Sequence, residues 1–228
     1  RAIKVLQEAK IAADQTLRWQ DQQLTAEILR GEIDAEIARN GGVASGTIVA
    51  PGKQAADPHQ RGYGPISANE AIVIDIFPRC LKTGYYGDLT RTLVKGKAPE
   101  IVWKAFNSVK EAKDLALKKI SPEFTGAEIH QLVEAYLENA GFETKYGAGI
   151  IPYGFFHSTG HGLGLEVHEE PSLSIREKNK LKAGNIVTVE PGLYYPEWGG
   201  VRLEDVALVT ENGCENLTEA ECFLEINE

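Results

Sequence analysis

The sequence predicts an α+β fold with an antiparallel or mixed sheet, because helical and strand patterns occur in separate blocks along the chain. Apolar residues at helical spacing predict four helices, over residues 1–20, 24–39, 99–119 and 126–140. Dense or alternating apolar runs predict strands over residues 46–50, 71–77, 85–94, 185–195, 201–210 and 221–227. A pair of helices precedes strands in each half, so the second half is expected to resemble the first in plan.

Local signals define the ends of several of these elements. Gly41 follows the second predicted helix and Gly141 follows the fourth, at the position where glycine commonly ends a helix. Thr125 and Glu128 match a capping box at the start of the fourth helix. The second and third strand runs are separated only by a loop, so they are expected to pair as a hairpin.

The composition is that of an ordinary globular protein and excludes several functions. Of the 228 residues, 43% are hydrophobic and 25% are charged, which is enough to build a substantial core. The 24 basic residues against 33 acidic ones give a net charge of −9, which argues against nucleic-acid binding. No apolar run approaches the length of a membrane span, and the opening RAIKVLQEAK is not a signal peptide. A cytoplasmic protein is therefore expected.

Cysteine usage agrees with that compartment. Cys80, Cys214 and Cys222 are odd in number and show no CxxC spacing. We therefore expect free thiols in a reducing environment and no disulfide framework.

Carboxylates stand inside apolar strand runs at several places. Asp75 lies within IVIDIF, and Asp88 lies within GDLTRT. Glu190 lies within VTVEPG, and VRLEDVALV contains both Glu204 and Asp205. A buried carboxylate without a partner is strongly unfavourable. One such residue could be satisfied by an arginine or a backbone cap, but this many favour a shared divalent cation or a pair of them.

The segment TGHGLGLEVHEE, residues 159–170, carries two histidines among glycines. Glycines on both sides of His161 would let the backbone pass close to a bulky or strained group. His168 follows seven residues later and precedes two acidic residues. This composition is typical of a site, and His161 is a candidate to join the carboxylates.

Each of these residues also has an ordinary structural explanation. Asp75 could cap a strand end or form an ion pair, and Asp88 could belong to a turn. Glu190 could end a strand before a proline. Arg202 and Glu204 would face the same side of a strand and could form a surface ion pair.

The histidines have ordinary explanations as well. His161 and His168 could be satisfied core histidines. His130 lies in the middle of the fourth predicted helix and is expected at the surface without a functional role. The order and joint occurrence of the carboxylates and histidines, more than any one of them, indicate a site.

Four motifs in this order resemble those of the pita-bread metallopeptidases, family M24. They are GDLTRT (87–92), HSTGHGLGLEVHEEP (157–171), VTVEPGLYY (187–195) and GVRLEDVALVT (200–210). The family contains methionine aminopeptidases, prolidases (Xaa-Pro dipeptidases), aminopeptidase P and creatinase. The resemblance implies the pita-bread fold, with two similar halves around a curved mixed sheet. It also implies one catalytic domain over residues 1–228, with the N-terminal domain of longer members absent or truncated.

The resemblance implies five metal ligands, which are Asp75, Asp88, His161, Glu190 and Glu204. They would hold two divalent ions ~3.5–4 Å apart. Asp88 and Glu204 would bridge the ions, Asp75 would bind one of them, and His161 and Glu190 would complete the other. Oxygen ligands with a single imidazole favour manganese or cobalt, with zinc and iron as alternatives.

The resemblance also implies roles around the metals. Glu190 would be the general acid and base for the activated water, and His168 would donate to the developing oxyanion. His157 and His59 would position the peptide as catalytic and substrate-binding residues. Arg202 would orient the first aspartate or bind the substrate.

His157, Arg202 and His59 are similar to residues of the prolidase and aminopeptidase P branch. The implied substrate is a peptide with a free amino terminus and proline in second place, either a dipeptide or a longer chain. Neither nucleic acid nor membrane is implied as a partner, and a homodimer stays open.

One departure from the family pattern lies in the first hairpin. Asp75 and Asp88 are 13 positions apart, and Ile76-Phe77-Pro78 stands in place of the usual early glycine. Three alternatives therefore stay open. They are a methionine aminopeptidase with the same metals, a non-catalytic peptide-binding protein on the same fold and, more remotely, a creatinase-like hydrolase.

Overall fold

The computed structural model describes residues 1–144 and 153–227. In these residues the chain forms four α-helices, α1 (Ala2–Glu8), α2 (Ala26–Arg39), α3 (Glu100–Lys119) and α4 (Gly126–Asn139). The first eight strands of this part of the chain are β1 (Lys10–Ile11), β2 (Leu17–Trp19), β3 (Gln22–Gln23), β4 (Gly42–Val43), β5 (Ile48–Pro51), β6 (Ile72–Ile76), β7 (Arg79–Cys80) and β8 (Leu89–Lys95). The other eight are β9 (Gly160–Gly162), β10 (Glu169–Leu173), β11 (Ile186–Val189), β12 (Gly192–Tyr195), β13 (Gly199–Arg202), β14 (Asp205–Val209), β15 (Cys214–Asn216) and β16 (Glu225–Ile226). A short 3-10 helix, Gly52–Ala56, follows β5.

The last three predicted helices are confirmed, with small shifts at their ends. Thr25 caps α2 by accepting a hydrogen bond from the backbone N–H of Ile28. Thr125 and Glu128 form the predicted capping box of α4. Gly141 follows α4 with a φ of 85°, a conformation that favours glycine after a helix.

The first helix is shorter than predicted. α1 ends at Glu8, and residues 10–23 form the small antiparallel sheet β1-β2-β3. Asp14 Oδ1 accepts hydrogen bonds from the backbone N–H and the hydroxyl of Thr16, and Gln15 has a φ of 65°. A helix cannot pass through this local turn, and the spacing of apolar residues alone does not reveal it.

The first half packs α1 and α2 against one face of the sheet β16-β8-β6-β5. β6 pairs antiparallel with β8, as the predicted hairpin requires, and Asp75 lies opposite Thr90. β16 adds a parallel strand, so the sheet is mixed. Ile72 and Ile74 face the helices, whereas Val73 belongs to a cluster on the other face. Asp75 lies two positions from Val73 and therefore also points away from the helices.

The second half has the same plan. α3 and α4 pack against the sheet β10-β9-β11-β14-β15, and Val187 and Val189 of β11 point into that core. Thr188 and Glu190 alternate with them and point to the other face. There the Thr188 hydroxyl donates a hydrogen bond to Glu190 Oε1 at 3.1 Å. In each half, a carboxylate side chain thus points to the face of the sheet that the helices do not cover.

The strands predicted over 185–195 and 201–210 are each broken into two. β11 pairs with β14 in the five-stranded sheet. β12 pairs with β13 in a separate two-stranded sheet. The prediction of two continuous strands is therefore wrong, although both segments are extended.

The two breaks have local causes. One follows Glu190 at Pro191, which has no N–H to donate to a strand ladder. The other precedes Glu204, whose backbone N–H donates to Thr90 O of β8 at 3.0 Å in place of continuing the hairpin. Two of the carboxylates predicted as ligands therefore lie where the chain passes from one sheet to another.

The predicted free thiols are confirmed. Cys80 is exposed, while Cys214 and Cys222 are partly buried. Within residues 1–144 and 153–227, none of the helices combines the length and the apolar character needed to cross a bilayer.

Candidate metal centre

The five residues predicted as metal ligands line a single cavity of about 390 Å³. Asp75 lies near the end of β6, and Asp88 directly precedes β8. His161 is the middle residue of β9, Glu190 directly follows β11, and Glu204 directly precedes β14. The first two come from the first half of the chain and the other three from the second, so the cavity lies between the halves.

Asp88, His161 and Glu204 each place one ligand atom in a group whose members lie within 4.8 Å of one another. His161 Nε2 is also 3.1 Å from Glu190 Oε1 and 3.8 Å from Asp88 Oδ2. His161 Nδ1 lies 3.0 Å from the carbonyl oxygen of Gly162, which can only accept a hydrogen bond. Nδ1 therefore carries a proton, and the neutral imidazole would present the lone pair of Nε2 to a metal.

The glycines around His161 have a packing role. A Cβ on Gly160 would lie 1.9 Å from Thr188 O, and one on Gly162 would lie 2.4 Å from Glu169 O. These contacts are far too short, so only glycine lets β9 run between its neighbouring strands. The backbone N–H of His161 donates to the Thr188 hydroxyl at 3.0 Å, which fixes the histidine within that narrow strand.

Asp75 has one satisfied oxygen and one unsatisfied oxygen. Arg202 Nη2 donates to Asp75 Oδ2 at 2.8 Å. Asp75 Oδ1 is buried and has no hydrogen-bond partner among the residues that the structure describes. The surface ion pair of Arg202 with Glu204 is not formed, because both side chains are buried and Arg202 is paired with Asp75. A buried acceptor without a partner is unfavourable, and a cation would satisfy it.

The carboxylates of the cavity repel one another. Burial raises the pKa of Asp88 to about 8, with help from the negative charges of Asp75 and Glu190. Burial also raises the pKa of Glu204 well above its usual value, and Asp88 and Glu190 add to the effect. Both groups thus favour a bound proton over a free charge, and a divalent cation would compete with protons for the same oxygens.

Glu190 and His161 form an ion pair beside this repelling group. Burial alone would raise the pKa of Glu190, but the hydrogen bond and charge of His161 outweigh it and lower the pKa to about 2. Burial alone would lower the pKa of His161, but Glu190 outweighs it and raises the pKa to about 9. Glu190 therefore carries a full negative charge at neutral pH.

The donor set fits divalent cations. It offers four carboxylates and one imidazole, without a thiolate. Such ligands suit hard or borderline divalent ions. The unpartnered Asp75 Oδ1 and the raised pKa values of Asp88 and Glu204 are both signs of missing positive charge.

His168 and His59 also line the cavity. The ring of His168 stands edge-on to that of His161, with 4.3 Å between the centroids. Burial, followed by the charge of His161, lowers the pKa of His168, so it is neutral near pH 7. His59 is exposed in the loop after β5, at the wall of the cavity that faces solvent.

His157 lies in the cavity wall with partners at both ring nitrogens. Nδ1 is 2.8 Å from Ser158 O, and Nε2 is 2.8 Å from the Tyr194 hydroxyl. That hydroxyl accepts a hydrogen bond from Arg202 Nη1 at 2.9 Å, so a chain of hydrogen bonds runs from His157 through Tyr194 and Arg202 to Asp75. Burial lowers the pKa of His157, which is therefore neutral and accepts the Tyr194 proton. A hydrogen bond from His157 to a substrate would require it to give up one of these partners.

The sequence patterns do not single out Tyr194. It is completely buried, and burial raises its pKa to about 12. A Cβ on Gly192 would lie 2.3 Å from the Tyr194 hydroxyl oxygen, so Gly192 leaves space for the phenol. The one available signal is its place four residues after Glu190 in the VTVEPGLYY motif.

Glu204 and Asp205 are held by a network on β8 and α3. The Thr90 hydroxyl donates to Glu204 Oε2 at 2.8 Å. Arg91 donates to the Glu204 carbonyl oxygen at 2.6 Å and to Asp205 Oδ1 at 2.8 Å. Lys113 contacts the other oxygen of Asp205. Asp205 does not line the cavity, so this strand carboxylate is not a candidate ligand.

His130 is buried, in contrast to the surface position predicted for it. It is 6% exposed, because it shares the buried face of α4 with Val133. Its Nδ1 lies 2.9 Å from the Thr159 hydroxyl, and Thr159 O accepts a hydrogen bond from the backbone N–H of Glu190 at 2.7 Å. Burial is the main cause that lowers its pKa to about 4. His130 is therefore a neutral side chain that contacts the site through Thr159, outside the cavity.

Known proteins with similar sequences establish the family. The profile of metallopeptidase family M24 matches residues 2–211 of the chain. This chain belongs to metallopeptidase family M24. The family predicted from the four sequence motifs is thus confirmed, and the carboxylate and histidine cluster of this M24 chain agrees with the metal dependence of the family.

Relatives of this M24 chain share its fold. The Xaa-Pro dipeptidase of Pyrococcus furiosus is 34% identical over 226 residues, which cover 96% of this chain and 62% of that protein. The prolidase from Pyrococcus horikoshii OT3 is 30% identical in sequence, and its crystal structure matches with a TM-score of 0.82. The match covers 97% of this chain and 58% of that chain. The X-Pro aminopeptidase of Thermotoga maritima MSB8 is 32% identical in sequence, with a TM-score of 0.79. The match covers 89% of this chain and 55% of that chain. These likenesses confirm the predicted pita-bread fold, and the M24 chain spans less than two thirds of the length of these relatives.

Proposed function

We propose that this M24 chain is the catalytic region of a metal-dependent exopeptidase that releases the N-terminal residue from Xaa-Pro dipeptides or longer Xaa-Pro peptides. The observation that carries the proposal is the convergence of Asp88, His161 and Glu204 within 4.8 Å. The same cavity also holds His59, His157 and His168. Relatives named for action on Xaa-Pro bonds support the choice of substrate.

We propose two divalent ions in the cavity, manganese or cobalt, with the ligands Asp75, Asp88, His161, Glu190 and Glu204. When bound, such ions polarise the peptide carbonyl and lower the pKa of a shared water molecule. The protein prepares its oxygens for this role. Arg202 holds Oδ2 of Asp75 and Thr90 holds Oε2 of Glu204, which leaves the other oxygen of each carboxylate available.

Glu190 is the proposed carrier of the catalytic proton. In the metal-free protein, the hydrogen bond and charge of His161 outweigh burial and keep Glu190 charged. A bound cation would stabilise the same negative form once His161 is a neutral ligand. A charged carboxylate can take a proton from the nucleophile and pass it to the leaving nitrogen. In an Xaa-Pro bond that nitrogen belongs to the proline ring, which must gain a proton to leave as a neutral amine.

The histidines of the wall orient the substrate. Neutral His168 stands beside His161 and can donate a hydrogen bond to the carbonyl oxygen as negative charge develops on it. His59 faces the open side of the cavity, where the part of the substrate beyond the scissile bond would lie. His157 acts with Tyr194 and Arg202 to hold Asp75 in place.

Hydrolysis assays test the proposal directly. Ala-Pro and longer Ala-Pro-Xaa peptides are incubated with the protein, with manganese, cobalt, zinc or iron added to chelator-treated samples. We expect turnover with manganese or cobalt, none with chelator, and a large loss in Glu190→Gln. Glu211→Gln, a change at an exposed carboxylate outside the cavity, is the matched control and should be fully active. Full activity in Glu190→Gln would contradict its proposed role.

Other outcomes of the same assays identify the alternatives. Cleavage of Met-Xaa peptides without cleavage of Xaa-Pro peptides would identify a methionine aminopeptidase. No bound divalent ion by elemental analysis, together with no hydrolysis under any metal, would identify a non-catalytic peptide-binding protein.

A further inference from the structure

Part of the cavity lining, the apolar wall, consists of hydrophobic side chains. Ile48, Pro58, Phe77 and Val167 line it, and the carboxylates and histidines line the remainder. Small-molecule sites usually combine such an apolar surface with a few polar groups that orient the ligand. The apolar wall has no part in the metal chemistry, so it is available to recognise a side chain of the substrate.

The pairing of β6 with β8 places Phe77 beside a predicted metal ligand. Ile76 pairs with Leu89, so the next step of the antiparallel register sets Phe77 opposite Asp88. Phe77 also lies two positions after Asp75 and so points to the same side of the hairpin. The phenyl ring therefore adjoins the carboxylates directly.

The ring of Phe77 is backed by the protein. A Cβ on Gly46 would lie 3.3 Å from Phe77 Cζ and 3.4 Å from Cε2, so the ring already rests against the Gly46 backbone. Gly46 does not line the cavity, so this contact is on the side of the ring away from it. On the Gly46 side the ring therefore has less free space than an added methyl group needs.

The position of the ring indicates which part of a substrate it would meet. In the proposed reaction, the carbonyl carbon of the N-terminal residue lies at the predicted metal ligands. The side chain of that residue branches from the carbon atom that is bonded to this carbonyl carbon. A wall residue next to Asp88 therefore meets the first side chain of the substrate before any later one.

We propose that Phe77 limits the size of the N-terminal side chain of the substrate, so that the apolar wall accepts aliphatic side chains and rejects aromatic ones. This inference rests on the proposed function, since it assumes that the first residue of a peptide lies at the carboxylates. Phe77 is then a specificity-determining residue. Shortening it should admit a larger first residue without disturbing a metal ligand.

Paired substrates test this inference. kcat/KM is measured for Leu-Pro and Phe-Pro with the parent protein, Phe77→Ala and Phe77→Leu. We expect the parent to prefer Leu-Pro, and Phe77→Ala to shift the ratio towards Phe-Pro by about tenfold or more, the scale at which apolar pockets discriminate size. Phe77→Leu keeps more of the volume and should shift the ratio less. Ile101→Ala, which shortens an exposed apolar side chain of α3, is the matched control and should leave the ratio unchanged.

An equilibrium measurement separates this inference from the proposed function. Titration calorimetry with manganese present measures the binding of L-leucine and L-phenylalanine, which are the products released from the two dipeptides. Phe77→Ala should gain affinity for L-phenylalanine relative to L-leucine. If Phe77→Ala does not fold by circular dichroism, Phe77→Val replaces it in both measurements, with a smaller shift expected in the same direction.

Each result then has one meaning. Hydrolysis of neither dipeptide, and of neither Leu-Pro-Ala nor Phe-Pro-Ala, overturns the proposed function, and the binding ratio alone then decides the role of Phe77. Hydrolysis with an unchanged ratio in Phe77→Ala overturns the role of Phe77 and leaves the proposed function intact. Binding of neither amino acid by a protein that also hydrolyses none of the four peptides overturns both.

Discussion

Glu204 and Asp205 are neighbours in the chain and are almost equally buried, at 2% and 3% exposed. Asp205 receives hydrogen bonds from Arg91 and Lys113, which outweigh the effect of burial and lower its pKa. Glu204 accepts a side-chain hydrogen bond from Thr90 and faces carboxylates that help to raise its pKa. Adjacent carboxylates thus have opposite electrostatic surroundings.

The comparison distinguishes two uses of a buried charge. Asp205 is balanced by the fold itself, with two cations and the Asn216 amide as partners. Glu204 is left with too little positive charge, and so is Asp75 with its unpartnered Oδ1. A buried charge that the protein balances is structural, whereas a group of unbalanced charges marks a place for a cation from outside.

The largest expected effect is on catalysis by Glu204→Gln. Loss of one proposed metal ligand should lower kcat for Ala-Pro by on the order of a thousandfold, or about 4 kcal/mol of transition-state stabilisation. Thermal stability in chelator should not fall, because the amide has the same shape as the Glu204 carboxyl group and carries no charge for the neighbouring carboxylates to repel. The two readouts are kcat and the thermal midpoint, and a kcat within tenfold of the parent value would contradict the assignment.

Asp205→Asn should show the reverse pattern. The change leaves Arg91 and Lys113 buried without their carboxylate, which should lower the free energy of unfolding by about 3 kcal/mol. Urea unfolding of the metal-free proteins measures this loss. The variant should still bind manganese, because Asp205 is not a ligand. A stability equal to that of the parent would show that Asp205 is not the structural member of the pair.

Metal addition tests the difference between Glu204 and Asp205 through the stability gained on metal binding. Manganese at a hundredfold excess over its Kd should stabilise the parent by about 2.7 kcal/mol, since only the folded state holds the assembled site. Asp205→Asn should keep this gain, and Glu204→Gln should lose most of it. Thermal midpoints over a manganese titration give the measurement, with magnesium as a comparison ion.

His130 provides a neutral buried group for comparison. Its pKa is about 4 in the folded protein, against an ordinary value of 6.5 that applies on unfolding. The unfolded chain therefore binds the proton first, and the histidine's contribution to stability, complete above pH 6.5, is lost as pH falls towards 4. The slope reaches at most about 1.4 kcal/mol per pH unit. Urea unfolding at pH 7, 6 and 5 should show this slope in the parent and a smaller one in His130→Asn.

The smallest expected effect comes from a position outside both charge clusters. Thr125→Ala removes the side chain that caps α4 and should lower the free energy of unfolding by about 1 kcal/mol. Metal affinity and kcat should not change. Any loss of activity greater than the fraction of unfolded protein would mean that stability and catalysis are not separable here.

Much of the fold and the candidate site follows from sequence patterns. The period of two in a strand sends Asp75 to the face opposite Ile72 and Ile74, and it does the same for Glu190 after Val189. Helices with an apolar face and a capping residue, such as α4 after Thr125, are local features that a sequence can show. The order of the four motifs predicts the family, and with it the candidate ligands, because it resembles the order in a known family.

Other features depend on contacts that no local pattern contains. Helical spacing over residues 1–20 does not reveal the turn around Gln15. The partner of Arg202 is Asp75, which lies 127 positions away, and not its neighbour Glu204. The burial of His130 depends on the docking of α4 against the second sheet. The turn depends on local hydrogen bonds of Asp14 that helical spacing does not report. Long-range packing decides the other two features, and propensities or spacing carry no information about it.

The position of the cavity between the two halves has a consequence for how the protein matures. Its carboxylates come from segments far apart in the chain, as the Asp75–Arg202 bond across 127 positions shows. Contacts of such high sequence separation are slow to form during folding. A partly folded chain contains the residues of the site but has not yet brought them together. Uptake of a metal ion is therefore a late event, and metal affinity serves as a measure of how completely both halves have assembled.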